Sequence, residues 1–518
     1  MRETAAFNTF DAFFRHWAAV RPEAVAHEQD GRITTFAALE EFSRRFAALL
    51  GEYGVRKGDR VAWIGKNADL YFHMLLSCAR IGVVMVPVGW RLAPAEMAYI
   101  LRDTEARLLF AGDGFAAGAH ALAAQIPTIE RVIEEAEARR VIAACPAGPV
   151  EAADPHDPVL QLYTSGTTGN PKGAVLCQDN FFGLRRAALA AELPWSTWDA
   201  DECILACMPC AHIGGTGMVT MAFSAGVRAI IQAEFTADGA LTAIGQGISR
   251  FFIVPAALQM LIQHPLATNT DFSGLKYVFY GAAPIPLELL RQAVGTIPNA
   301  QFMQMYGMTE TTGTICVLPP WDHDLAGSER MRSAGKAVPG VEIRIVDGEG
   351  CELPRGEVGE IETRSSANML HYWKLPEATA KTLSPEGWVR TGDAAYMDED
   401  GYLFIQDRIK DMIISGGENV YPAEVESAIY GHPQVAEVAV IGVPDAKWGE
   451  AVKACVVPRE GMEVDPDSVI AWARERIAGF KVPKSVDVIA AMPRNPSGKI
   501  LRRTLRDPYW EGMQRQVN

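Results

Sequence analysis

Short apolar runs at residues 61–64, 83–88 and 107–111, separated by helically periodic stretches at 69–81 and 94–102, set the fold class before any motif is read. Strands that alternate with helices need crossover connections, so they pair in parallel and carry helices on the sheet faces. The rhythm returns at 159–163, 204–208, 251–254 and 277–280, where each run leads through a turn or loop into helical periodicity. One large α/β body reaching to about residue 400 is the prediction. Past Asp407 the scale changes: 412–415, 435–443, 452–457 and 486–489 read as strands, and 422–430 and 467–477 as helices. These make a smaller α+β unit, long enough to fold as a domain. No Gly/Ser-rich or Pro-rich linker separates the two parts, so a tight hinge near 408–411 is expected, dividing the chain into 1–409 and 410–518.

Composition narrows the function classes. The chain has 518 residues, 49% of them hydrophobic and 21% charged, which is ample for a large core and argues against disorder. A net charge of −15 repels phosphate, so nucleic acid is not an expected partner, nor is an anionic lipid surface. The N-terminus carries Arg2, Glu3 and Asp11 without an apolar signal core, and no apolar run is long enough to span a bilayer. A cytoplasmic protein is expected, with no transmembrane segment. Nine cysteines without framework spacing indicate reduced thiols. Cys203, Cys207, Cys210 and His212 can be drawn as a metal site, but the first two fall on a strand of alternating side chains and no second CxxC accompanies them. Buried free thiols are the better reading.

The most informative stretch runs from Tyr163 to Gly173, YTSGTTGNPKG, directly after the apolar run 159–162. Thr164, Ser165, Thr167 and Thr168 supply hydroxyl donors. Gly166, Gly169 and Gly173 let backbone N–H groups approach closely, and Lys172 adds positive charge. Such a loop suits a polyphosphate. It is not a Walker A loop, because Pro171-Lys172-Gly173 stands where Gly-Lys-Ser/Thr is required. A plain surface loop is the alternative, and its place after a buried strand argues against it.

This stretch resembles the TSGTTGxPKG signature of the adenylate-forming superfamily, which includes acyl-CoA synthetases, peptide-synthetase adenylation domains and beetle luciferases. Further matches follow in that family's order along nearly the whole chain. Tyr306-Gly307-Met308-Thr309-Glu310 is similar to its YGxTE element. The resemblance implies adenine stacking on Tyr306, a donor to the α-phosphate at Thr309, and a carboxylate for Mg²⁺ at Glu310. Gly281-Ala282-Ala283 resembles the backbone segment along the adenine edge. Thr391-Gly392-Asp393 resembles the element that accepts from the ribose hydroxyls, with Arg408 reaching the same ribose. Lys499, in a PxxxSGKxLR-like run from Pro493 to Arg502, resembles the lysine that bridges the attacking carboxylate and the α-phosphate. Lys410 falls at the hinge, and Gly416-Gly417-Glu418 resembles the segment that lines the pantetheine tunnel after the small domain turns. The implied fold is a large multi-subdomain N-terminal α/β domain with a smaller mobile C-terminal α+β domain.

The implied activity is an acid:CoA ligase that uses ATP, Mg²⁺ and coenzyme A to convert a carboxylic acid to an acyl-adenylate and then a thioester. His212, Ile213, Gly214, Gly215 and Met305 are expected beside the acyl group. Segments 213–218, 254–258, 281–284 and 303–305 hold no Arg or Lys, so an uncharged tail is expected: a medium or long fatty acid or an alicyclic acid, with a hydroxycinnamate or benzoate as the alternative. Ala211 stands where the family often has a bulky aromatic, and Met305 where glycine is frequent. An oxidative luciferase shares every ATP motif. A peptide-synthetase module would need a carrier domain, for which the chain has no room. A noncatalytic acyl-AMP-binding protein would lack one of Lys172, Glu310, Asp393 or Lys499, and all four are present. A homodimer is compatible with these residues.

Overall fold

The apolar runs become the inner strands of two sheets. In the computed structural model, which describes residues 7–164, 170–324, 326, 328–494 and 500–511, Arg60–Ile64 lies between Val84–Val88 and Leu108–Ala111, parallel to both. Arg131–Glu134 extends this seven-stranded sheet at one edge. Pro158–Thr164, Lys172–Cys177 and His371–Tyr372 extend it at the other. A second sheet of nine strands has a parallel centre formed by Cys203–Ala206, Arg228–Ile231, Arg250–Ile253, Tyr277–Gly281 and Gln301–Tyr306.

The helix Asp69–Ile81 joins the two sheets. Every residue from Asp69 to Arg80 is buried, which a helix tolerates only when packed on all sides. It shares one core with Val61, Leu160 and Phe110 of the first sheet, with Phe251 and Leu205 of the second, and with Phe223 of the helix Ile213–Ala225. Gly82, at φ 71°, ends it in the left-handed conformation that glycine adopts without penalty.

The predicted α/β body gives way earlier than residue 400. Glu342–Val346, Gly359–Arg364, Val389–Met397 and Leu403–Arg408 form a four-stranded antiparallel sheet with its own core around Ile345, Ile361 and Leu403. The small C-terminal unit matches its prediction closely. Its five-stranded sheet is built on the long hairpin Val435–Asp445 and Gly449–Pro458, and the helices Pro422–Tyr430 and Pro466–Arg474 bury Val425, Ile429 and Val469 against it. Among the described residues no helix is long and apolar enough to cross a membrane.

Candidate active site

Strand ends position the site, as expected where parallel strands finish and loops begin. Tyr277–Gly281 and Gln301–Tyr306 run side by side, with Gly281 opposite Met305. Their ends open into a cavity of about 330 Å³ lined by Ala282, Ala283, Tyr306, Gly307, Asp393 and Arg408. Side chains are excluded at two of these glycines. A Cβ at Gly281 would run into the Met305 carbonyl, and one at Gly307 into the Gly313 carbonyl. Ala282 has φ 65°, a conformation that costs a side-chain-bearing residue energy and that concentrates at functional sites.

The groups expected to hold a ribose, the Asp393 carboxylate as acceptor and the Arg408 guanidinium as donor, are assembled by the antiparallel sheet. Asp393 and Arg408 are register partners on neighbouring strands, and Arg408 Nε lies 3.6 Å from Asp393 Oδ1. Tyr306 Oη donates to Asp393 Oδ2 at 2.7 Å, which ties this sheet to the nine-stranded one. Burial first, and the Asp393 charge second, push the Tyr306 phenol well above its ordinary value, so it remains a donor.

A second cluster lies beyond Met308. Thr164 and Lys172 face each other across the hairpin that holds the glycine- and hydroxyl-rich loop. Thr164 Oγ1 donates to Glu310 Oε1 at 3.4 Å, and Tyr372 Oη donates to the same oxygen at 2.6 Å. Lys172 Nζ sits 4.6 Å from the centre of the Tyr372 ring. Thr309 and Glu310 open a single 3₁₀ turn, Thr309–Thr311, and Glu310 is only 5% exposed. Tyr372 was missed in the sequence, because a tyrosine on a two-residue edge strand carries no motif. Ser165, Gly166, Thr167, Thr168, Gly169 and Lys499 lie outside the described residues.

The C-terminal unit closes over the nucleotide-sized cavity. Lys410, in the 3₁₀ turn Ile409–Asp411, lines it together with Ile500, Leu501, Arg502 and Arg506. Burial and then the neighbouring Arg408 charge bring Lys410 down to about 8. Arg502 forks onto Glu426, with Nε 3.0 Å from Oε1 and the other arm 2.7 Å from Oε2, and lies 3.5 Å from Asp407. Gly416 and Gly417, at φ 64° and 87°, form the turn of an exposed hairpin with Glu418, away from the cavity in this arrangement.

A further cavity of about 240 Å³ meets the first at Ala282, Met305 and Gly307. Ile213, Gly214 and Met305 line it as expected. Two expectations need correction. Gly215 is not a lining residue, because its Cα packs against the carbonyls of Met208 and Pro209, where a Cβ would collide. His212 does not line it either. It precedes the helix Ile213–Ala225, and burial, with Arg91 nearby, holds its ring at about 4. The expectation of a wall without cations also fails, because Arg185 of the helix Gln178–Ala190 is in the lining. The thiols of Cys207 and Cys210 are free and buried, and burial pushes both up to about 12.

A glycine-lined cradle with a carboxylate and guanidinium pair suited to a ribose, a hydroxyl and lysine hairpin beside it and a second lobe closing over it define a two-domain nucleotide-binding enzyme. Residues 14–373 match the AMP-binding enzyme family and residues 424–499 the AMP-binding enzyme C-terminal domain. The chain belongs to the AMP-binding enzyme family. It is 43% identical, over 94% of both chains, to a fatty acid–[acyl-carrier-protein] ligase of Streptomyces coeruleorubidus. It is 38% identical to a feruloyl-CoA synthase of an Amycolatopsis species, over 94% of this chain and 96% of the relative. The crystal structure of ATP-bound MatB from Rhodopseudomonas palustris superposes with a TM-score of 0.87 at 29% identity, over 97% of this chain and 99% of that one.

Proposed function

We propose that this acid–thiol ligase works in two half-reactions at one nucleotide site, with ATP and a carboxylic acid of largely apolar body giving an acyl-adenylate, and coenzyme A then taking the acyl group. The observation that carries the reading is the junction at Ala282, which lines both the nucleotide-sized cavity and the apolar one. An acid held in the second cavity would present its carboxylate at the mouth of the first.

In the first half-reaction the substrate carboxylate attacks the α-phosphorus of ATP, and pyrophosphate leaves. Two anions must meet, so cationic groups at that point lower the barrier most. Lys499 is assigned the bridge between them and Lys172 the departing phosphates. Tyr306 holds adenine, while Asp393 and Arg408 hold the ribose. Thr309 donates to the α-phosphate. Glu310 is one hard carboxylate with Thr164 beside it, which fits a Mg²⁺ that takes its other ligands from phosphate and water. When bound, that ion would neutralise charge on the phosphates.

In the second half-reaction the thiol adds to the acyl carbonyl and AMP leaves. We place the hinge at Lys410, between domains 1–409 and 410–518, so that rotation withdraws the segment around Lys499 and brings Gly416, Gly417 and Glu418 toward the thiol. The Streptomyces relative is named for an acyl-carrier-protein acceptor, so the acceptor is tested beside the chemistry. Purified protein is incubated with ATP, Mg²⁺ and a panel of fatty, alicyclic and aryl acids, with coenzyme A or a phosphopantetheinyl carrier protein. AMP and pyrophosphate in equal amounts, with a thioester on coenzyme A, are the expected products. ADP and phosphate would refute the reading, and a thioester on the carrier alone would refute its choice of thiol.

A further inference from the structure

Resting on the adenylation reading above, the geometry points to a substrate with a second polar feature: a hydrogen-bond-accepting oxygen at the end remote from the reacting carboxyl, bound by Arg185.

The helix Gln178–Ala190 presents Phe181, Leu184, Arg185 and Ala188 to the apolar cavity, a helical spacing that puts all four on one face. Arg185 is therefore a charged residue on an apolar stripe. Among the described residues it is the cavity's one charged lining residue, with no Asp or Glu to balance it. Among the described residues no acceptor bonds to its guanidinium, and its Nε is sealed from solvent without a partner. The carboxylate that holds the neighbouring Arg250 is already committed. Glu202 is buried in an ion pair with Arg250 and also meets Lys276 at 3.3 Å. Burial first, and the Arg250 charge second, bring Arg185 down to about 10, which leaves it charged at neutral pH.

Arg185 is half-buried, and a guanidinium nitrogen sealed from water without an acceptor is costly unless a ligand completes it. Position indicates which part of the ligand does so. The cavity joins the nucleotide site at Ala282 and Gly307, whereas Arg185 is near enough to Arg250 to feel its charge, and Arg250 is anchored to the carbonyls of Trp195 and Thr197. Trp195 belongs to the same cavity wall. Arg185 thus faces the end of the acyl group away from the phosphates. A carboxylate would meet the planar fork with two hydrogen bonds, and a hydroxyl or keto oxygen with one.

The test compares a straight-chain fatty acid with its ω-hydroxy derivative and with the dicarboxylic acid of the same length, over several lengths. Cinnamate, para-hydroxycinnamate and para-carboxycinnamate serve as an aryl series. Acid-dependent pyrophosphate release gives kcat/KM for wild type, Arg185→Met and Arg185→Lys. We expect wild type to favour at least one oxygenated acid over its plain counterpart by on the order of tenfold or more. Arg185→Met should reverse that ratio, largely through KM, and Arg185→Lys should retain part of it for the carboxylate. The hydroxyl and carboxylate arms identify which oxygen is read. Plain acids favoured by wild type, or a ratio unchanged in Arg185→Met, would overturn the role of Arg185 while leaving adenylation intact. The wild-type ratio decides the matter even if the variants do not fold. Absence of pyrophosphate release with every acid would overturn the adenylation reading itself, and this inference with it.

Discussion

Tyr306 Oη donates a 2.7 Å hydrogen bond to Asp393 Oδ2, so the ring assigned to adenine and the carboxylate assigned to the ribose are held by one another before any nucleotide arrives. Removing the hydroxyl keeps the stacking face and releases the carboxylate. A neutral-to-charged hydrogen bond of this kind contributes about 1.5 kcal/mol, so Tyr306→Phe should raise KM for ATP roughly tenfold with a smaller change in kcat. Steady-state kinetics with ATP varied would show it, and an unchanged KM would show that the Tyr306 hydroxyl's hold on Asp393 plays no part in nucleotide binding.

Tyr372 Oη is bonded to Glu310 Oε1 at 2.6 Å, and Thr164 reaches the same oxygen. If that carboxylate holds the metal, Tyr372 orients it from behind. Tyr372→Phe should then weaken the apparent affinity for Mg²⁺ by about tenfold, and Glu310→Gln should weaken it more. Titrating Mg²⁺ at fixed ATP separates this from a loss of fold, because excess Mg²⁺ should restore Tyr372→Phe. Equal loss at every Mg²⁺ concentration would contradict the assignment.

Arg502 connects the C-terminal segment 500–506 to Glu426 of one helix and to Asp407 at the end of a strand. Burial works against its charge, and Glu426 with Asp407 more than restores it. Burial also pushes the Asp407 carboxyl up to about 6, against the pull of Arg502. Arg502→Met would strand these carboxylates and cost about 3 kcal/mol of stability. Its loss should fall on the first half-reaction, because the segment that follows Lys499 would no longer be tied down. Pyrophosphate exchange should drop more than thioester formation from supplied acyl-adenylate. An equal drop would show a merely structural role.

His27 and His73 stack at 4.8 Å in the core between the sheets, and His73 Nε2 and both His27 nitrogens lack partners. Burial lowers both, His73 to about 4, and each would repel the other if charged. Unfolded histidine titrates near 6.5, so below that pH the unfolded chain binds more protons and the fold loses stability as pH falls toward 4. His212 and His323, also near 4, act in the same direction. Asp407, raised to about 6, acts in the opposite direction over part of the window. His73 alone amounts to roughly 3 kcal/mol at the acid end. Urea unfolding between pH 7 and pH 4.5 should show a falling midpoint, with a shallower fall in His73→Leu. A flat profile would contradict the buried neutral pair.

The parts of the site legible in the sequence were those where chemistry needs several residue types in a row. The run Tyr163 to Gly173, the Tyr306–Glu310 element and Asp393 belong there, as do the strand and helix alternations that fixed the parallel sheets. Residues that act singly from a distant element were not legible. Tyr372 reaches Glu310 only after the chain between them has folded back on itself. Arg185 sits beside Arg186 in the sequence. Arg186 pairs with Asp179 and the Phe7 carbonyl, while Arg185 shares the cavity-facing stripe with Phe181, Leu184 and Ala188. An arginine on an otherwise apolar helix face was the available signal. The three glycines after His212 looked alike in sequence. A Cβ at Gly217 would meet nothing, whereas one at Gly214 would press on Phe252 and one at Gly215 would strike backbone carbonyls.

Lys499→Ala tests the two-half-reaction scheme most directly. We expect acid-dependent exchange of labelled pyrophosphate into ATP to fall by on the order of a hundredfold or more. Thioester formation from supplied acyl-adenylate and coenzyme A should stay close to wild type. Equal loss in both assays, or exchange at the wild-type rate, would contradict a lysine that serves adenylation alone.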